Sequence, residues 1–140
     1  MNDSVLVYLI AILIVGVLIF LAISMTRKPK FEFDKEQFQL DLMQIERALS
    51  EDNKASYAMT IVNCDKLLDK AMIEKGISGK TMGDRLKKAG KDEFSQLNSV
   101  WYVHKMRNQI AHEHDFSPDY KQAKRAINVY RQALRDLGAI

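Results

Sequence analysis

Val5 to Met25 is a run of 21 residues without a charge, and it constrains the chain more than any other feature. At 1.5 Å per residue a helix of that length covers the roughly 30 Å hydrocarbon core of a bilayer, where a single segment can satisfy its backbone polar groups only as a helix. The run predicts a transmembrane anchor over residues 1–26. A cleaved signal peptide fits less well. The tail ahead of the run carries Asp3 and no basic residue, the apolar stretch is long, and no small-x-small cleavage site follows. Arg27, Lys28 and Lys30 come directly after the run and nothing basic precedes it. The positive-inside rule therefore predicts a single-pass protein of the cell membrane, with its N-terminus outside and its C-terminal domain in the cytoplasm. Gly16 is the only glycine in the run, so no Gly-x-x-x-Gly supports a tight transmembrane dimer.

Residues 27–33 read as a basic juxtamembrane linker in which Lys28-Pro29-Lys30 forms a short hinge, because proline disfavours helix at the residue before it. Residues 34–140 then leave room for one soluble domain with one core. The single cysteine, Cys64, cannot form an intrachain disulfide and lies in a helical pattern, which fits a packing role in a reducing compartment. Charge matters here only once the juxtamembrane residues are set aside. From Phe31 onward the chain holds 18 basic and 17 acidic residues, a net of +1. Such a domain lacks the broad positive field of a nonspecific binder of long nucleic acid, so any RNA contact must be local.

Asp34 followed by Gln37 predicts a capping box, with Phe33 and Phe38 as a hydrophobic staple across it. Phe38, Leu42, Ile45 and Leu49 then make one apolar stripe before Ser50-Glu-Asp-Asn interrupts it. A longer amphipathic helix over 53–75 places Ala58, Ile61, Val62, Leu68 and Met72 on one side, together with Asp65. Asp65 either faces solvent at the edge of that stripe or turns inward to hold Arg107 or a histidine, since a buried charge without a partner is too costly.

Gly79-Lys80-Thr81 invites comparison with a phosphate-binding loop, but Glu74 stands where that motif needs its first glycine, and a helix rather than a strand precedes it. Gly76 instead stops one helix and Thr81, with Asp84 three residues on, starts a short one ending at Gly90. Asp92 is placed to cap the next helix, which carries Phe94, Leu97, Val100, Trp101 and Ile110 and runs to about His112. Ser117-Pro118 predicts the cap and first-turn proline of a last helix closed at Gly138. That helix puts Tyr120, Ala123, Ile127, Tyr130, Leu134 and Leu137 on one strip. Its opposite side carries Lys121, Lys124, Arg125, Arg131 and Arg135, either a solvated face or a groove for an acidic partner or phosphate. With no strand alternation, repeat or low-complexity segment, the predicted fold class is all-α: a single transmembrane helix followed by a small helical bundle.

The chemistry is concentrated between Val100 and Asp115, which hold the only tryptophan and all three histidines. His104, Asn108 and His112 fall at i, i+4 and i+8 on one helix face, whereas Arg107 and His112 are about 140° apart on a regular helix. Arg107 and His112 converge on one ligand if the helix ends or distorts near His112, or if a second subunit supplies the missing half.

Arg107-Asn108-Gln109-Ile110-Ala111-His112, late in one helix and ahead of a last amphipathic one, resembles the motif of HEPN domains: an arginine, four to six residues, then a histidine, often with a polar residue after the arginine. The resemblance extends over residues 35–140 through helix order. It implies a metal-independent endoribonuclease or an RNA- or nucleotide-binding module, acting as a homodimer whose two motifs line one cleft. On that reading His112 exchanges a proton with a ribose 2′-hydroxyl or a leaving oxygen, Arg107 clamps phosphate charge, and Asn108 orients either one. Asp65 and His104 are supporting residues, His104 being also readable as a core or subunit-contact histidine. Trp101 and Tyr102 are either core residues or platforms for a base.

No metal or cofactor is expected, because neighbours among His112, Glu113, His114 and Asp115 point apart and no His-x-x-x-His or Glu-x-x-His pair is present. The expected partners are membrane lipid, a second copy of the chain and RNA. The alternative from another class is a non-enzymatic, membrane-tethered scaffold that recruits a partner protein, in which Arg107 and His112 are purely structural.

Overall fold

The computed structural model describes residues 3–26 and 32–140, and these form six helices and no strand. The expected basic residues and hinge at 27–30 lie outside the described residues. Two compact units divide at Phe31, and each is taken by itself. The first is α1 (Asp3–Thr26). Its 18-residue stretch Val5–Ala22 has a mean hydropathy of 3.2 and every side chain in it is exposed, so it is long and apolar enough to cross a membrane.

The second unit holds α2 (Lys35–Ala48), α3 (Lys54–Glu74), α4 (Met82–Glu93), α5 (Leu97–His112) and α6 (Tyr120–Leu137). Local chemistry sets most of the helix ends. Asp34 caps α2 by accepting from the Gln37 backbone N–H, and the Phe33 and Phe38 rings meet edge to face at 5.5 Å as the expected staple. Only half of the capping box forms, because the Gln37 side chain donates forward to Asp41 at 2.7 Å instead. Asn53 caps α3. Thr81 and Asp84 form a complete capping box on α4, and the hydrogen bonds from Thr81 hold the Asp84 carboxyl below the usual carboxylate range. Gly138 closes α6 in the left-handed region at φ 82°.

Two caps differ from expectation. α5 is capped at Gln96, not at Asp92, because Gly90 at φ 59° and ψ −156° breaks α4 and residues 91–93 complete one more turn. Asp136 of α6 instead accepts from the backbone N–H and hydroxyl of Ser95, at 2.8 and 2.7 Å. The cap of α6 is Asp119 in a capping box with Gln122, not Ser117, and Pro118 is buried ahead of it.

The core lies between α3 and its neighbours α2, α5 and α6. Phe38, Ile61, Leu68, Met72, Val103, Tyr130 and Leu134 are sealed within it. The stripe expected on α6 is buried except for half-buried Tyr120. The stripe expected on α3 is only part of what is buried: Ile61, Leu68 and Met72 are sealed, Ala58 and Val62 are half-buried, and Thr60, Cys64, Leu67 and Ala71 are buried as well. A helix enclosed by three others buries most of its circumference, so no single stripe describes it.

Candidate functional site

α5 supplies most of the site. Its register brings Trp101, His104, Asn108 and His112 along one side, and the helix ends at His112 with Glu113 as its cap. His112 is exposed in the last turn, and Arg107, with 32% of its side chain exposed, reaches the same depression of about 770 Å³ from the next row. Asp65, His104 and Asn108 line it as well. Both residues thus line one depression within a single chain. A second depression of about 600 Å³, with Tyr102, Met106 and Phe116 in its walls, shares Asn108 and His112.

Asp65 is turned inward, 4% exposed, so its solvent-facing reading is set aside. Its Oδ1 accepts from the Tyr130 hydroxyl at 2.7 Å and lies 2.9 Å from His104 Nδ1. Arg107 Nε stands 3.5 Å from Oδ2, within ion-pair range but without hydrogen-bond geometry. Arg107 Nη1 donates to Asn108 Oδ1 at 3.1 Å, and Asn108 Nδ2 is 3.4 Å from His104 Nε2. The four side chains of Asp65, His104, Asn108 and Arg107 thus close a ring. His104 is buried, as a core histidine is, but it is also part of the depression wall. Trp101 is half-buried with its ring edge-on to His104 at 5.9 Å, while Tyr102 is exposed beneath Arg125, whose guanidinium is 5.0 Å from the ring centre.

Two partners escaped the sequence reading. Tyr130 sat among the apolar positions of α6, and only its hydroxyl hinted at a buried acceptor. Arg85 is held by Asp69 through paired bonds of 2.7 and 2.8 Å and donates to the Gly79 carbonyl at 2.6 Å. That clamp folds the Gly79-Lys80-Thr81 loop against the depression. Asp65 and Asp69 are four residues apart, so a pair of carboxylates on one face of α3 was the available signal. In all, six basic side chains (Lys66, Lys80, Arg85, Lys87, Lys105 and Arg107) border the depression beside three acidic ones, Asp65, Asp69 and Asp84. The positive excess that the near-neutral domain lacks as a whole is gathered here. Among the described residues no group of three or more His, Cys, Asp or Glu side chains converges to hold a metal ion.

Burial pushes the Cys64 thiol up to about 12. Burial, and then the neighbouring Asp65 carboxylate, raises the Tyr130 phenol well above its ordinary value, so it keeps its proton and goes on donating to Asp65. The folded state retains both protons where the unfolded chain releases them, above roughly 8.5 for a thiol and 10 for a phenol. Fewer protons on the unfolded chain make stability fall as pH rises. The melting temperature is therefore expected to decline steadily from about pH 8.5 towards 12, and Cys64→Ala to flatten the early part of that decline. A flat profile over this range in both proteins contradicts the assignment.

No protein-family model matches the chain, and neither does any curated protein or solved structure.

Proposed function

We propose that this is a membrane-anchored, cytosolic HEPN-like domain that binds RNA in the α3–α4–α5 depression and cleaves it without a metal. The observation that carries the reading is the meeting of Arg107, Asn108 and His112 on one open depression bordered by six basic and three acidic side chains. A phosphodiester is the polymer-borne group that uses such a set. Arg107 offers a forked guanidinium to the non-bridging oxygens, and His112 is exposed for proton exchange with a ribose or leaving oxygen. Asn108, bonded to Arg107, fixes the angle of the fork. α1 tethers the domain, and Arg27, Lys28 and Lys30 orient it towards the cytoplasm.

Tethering also raises the effective concentration of copies in the membrane plane, which favours the homodimer that the family resemblance implies. Sedimentation of the full chain in nanodiscs or mild detergent tests this separately: dimers are expected, and monomers throughout argue against a shared cleft. Because both motif residues reach one depression within a chain, cleavage does not stand or fall with that result.

Incubation of the full chain with varied single-stranded and hairpin RNAs, beside Arg107→Ala and His112→Ala, tests the activity. Cleavage by the wild type and its loss in both folded variants are the expected outcomes. A tethered scaffold is the second reading. It is favoured by the exposed Leu40, Met43, Met59 and Ile73 and by the engagement of Arg107 with Asp65 and Asn108. Absence of cleavage by every version across all RNAs selects it.

A further inference from the structure

The ring of side chains has a direction, and that direction fixes where His104 carries its proton. An arginine only donates, so Asn108 must turn its Oδ1 to Arg107 Nη1, as observed at 3.1 Å. That leaves Asn108 Nδ2, a donor, facing His104 Nε2 at 3.4 Å. His104 Nε2 must then be the unprotonated, accepting nitrogen, and the ring proton lies on Nδ1, 2.9 Å from the Asp65 carboxylate. Free imidazole prefers the opposite tautomer, so this arrangement is imposed by the site. A carboxylate behind one ring nitrogen and a lone pair presented on the other is the arrangement of an oriented general base.

Two further observations give that lone pair access to the depression. The contact with Asn108 is longer than the usual 2.7–3.2 Å of an N–H donor, so an incoming hydroxyl can replace it at small cost. The backbone facing Nε2 is Gly83, where a Cβ would sit 3.7 Å from Nε2 and 3.8 Å from Trp101 Cη2. No side chain of residue 83 therefore stands against the nitrogen, on the wall that His104 shares with Arg107 and His112. The groups around His104 are Asp65 from α3, Tyr130 behind Asp65 from α6, Trp101, Arg107 and Asn108 from α5, and Gly83 from α4.

We infer that His104, which lies outside the Arg107-to-His112 motif, is the proton acceptor of the site, with Asp65 as its positioning residue and a ribose 2′-hydroxyl next to a phosphodiester as its substrate group. The inference rests on the RNA-cleavage reading above. In the step it describes, His104 Nε2 takes the 2′-hydroxyl proton and the ring becomes an imidazolium, balanced by Asp65. The 2′-oxygen forms a bond to the adjacent phosphorus while the bond from phosphorus to the 5′-oxygen breaks. Arg107 holds the charge on the non-bridging oxygens, and His112 gives its proton to the departing 5′-oxygen. The products are a 2′,3′-cyclic phosphate end and a 5′-hydroxyl end, and proton exchange with water restores both histidines.

The test uses the full chain in detergent micelles. Long-range ¹H–¹⁵N correlation, with ring signals assigned through single His→Gln variants, is expected to show the His104 proton on Nδ1 at neutral pH. A His104 ring carrying its proton on Nε2 alone overturns the inference. In cleavage assays His104→Gln is expected to lose about 10²-fold or more in kcat, with KM changed by less than about threefold, a split that marks loss of a transition-state group. Gly83→Ala adds a methyl at ordinary contact distance in an α-helix. It is expected to keep or raise the melting temperature yet lower kcat, because a hydroxyl must come within about 2.6–3.2 Å of the base. His114→Gln, exposed beyond the end of α5, is expected to cleave as the wild type does. Should His104→Gln fail to fold, Gly83→Ala decides. Undiminished cleavage by both variants overturns the role of His104 and leaves the proposed function standing, whereas no cleavage by the wild type overturns both.

Discussion

Replacing Asp65 by alanine is expected to destabilise the helical bundle by about 2–6 kcal/mol, because two buried donors are stranded at about 1–3 kcal/mol each. The Tyr130 hydroxyl and His104 Nδ1 both meet Asp65 Oδ1, from α6 and α5 respectively, at a carboxylate that is itself buried, so both lose their acceptor together. Arg107, with part of its side chain in solvent, can turn outward and adds less. Asp65→Asn separates the two roles of the residue. Its amide oxygen can keep both bonds at the Oδ1 position, so most of the stability is expected to remain. Its amide nitrogen, however, then faces Arg107 Nε, donor against donor, and the ring around Arg107 opens. Urea unfolding of the full chain, followed by the fluorescence of Trp101 beside His104, measures both. If Asp65→Ala lies within about 0.5 kcal/mol of the wild type, the range of an ordinary surface change, the buried network does not hold α3, α5 and α6 together as described.

Arg107→Ala is expected to lower kcat for RNA cleavage by about 10²–10³-fold, the effect of removing one preorganised donor from a developing oxyanion. The bundle itself should survive, since Asp65 still accepts from Tyr130 and His104. Arg107→Lys is expected to recover only a small part of the loss, because a point charge cannot hold Asn108 and two phosphate oxygens as the planar fork does. Cleavage by a folded Arg107→Ala at the wild-type rate means that the phosphodiester is not bound at this residue, and the motif then has no part in the activity. Raising the salt concentration adds a second check. Binding carried by a local cluster of lysines and Arg107 weakens with salt, and the slope should shrink by about one on removing a single phosphate contact.

Much of this architecture could be read from short-range chemistry. The caps at Asp34, Asn53 and Thr81 and the closure at Gly138 follow from residues two to four positions away. So does the end of α5 at His112. The α6 cap was misplaced by a local choice, Asp119 with Gln122 three residues on, whereas a distant group bears on the start of α5 and on the face of α3. Asp136 takes the polar groups of Ser95 just ahead of α5, and the enclosure of α3 by three helices blurs its expected stripe. Arg85 gave no local sign of its role, because the carboxylate that holds it is 16 residues away.

The sequence by itself determined the apolar α1, the helical periods, most helix boundaries and the placement of Arg107, Asn108 and His112 near the end of one helix. These are consequences of backbone geometry and of neighbours within a turn. Only the tertiary structure decided that Asp65 points inward, and that it meets His104 across 39 residues and Tyr130 across 65. A carboxylate at the edge of an apolar stripe is stable either in water or among buried donors, and spacing along the chain does not distinguish the two. Packing α3 against α5 and α6 removes the water and supplies the donors, and this turns a surface acid into the centre of the site.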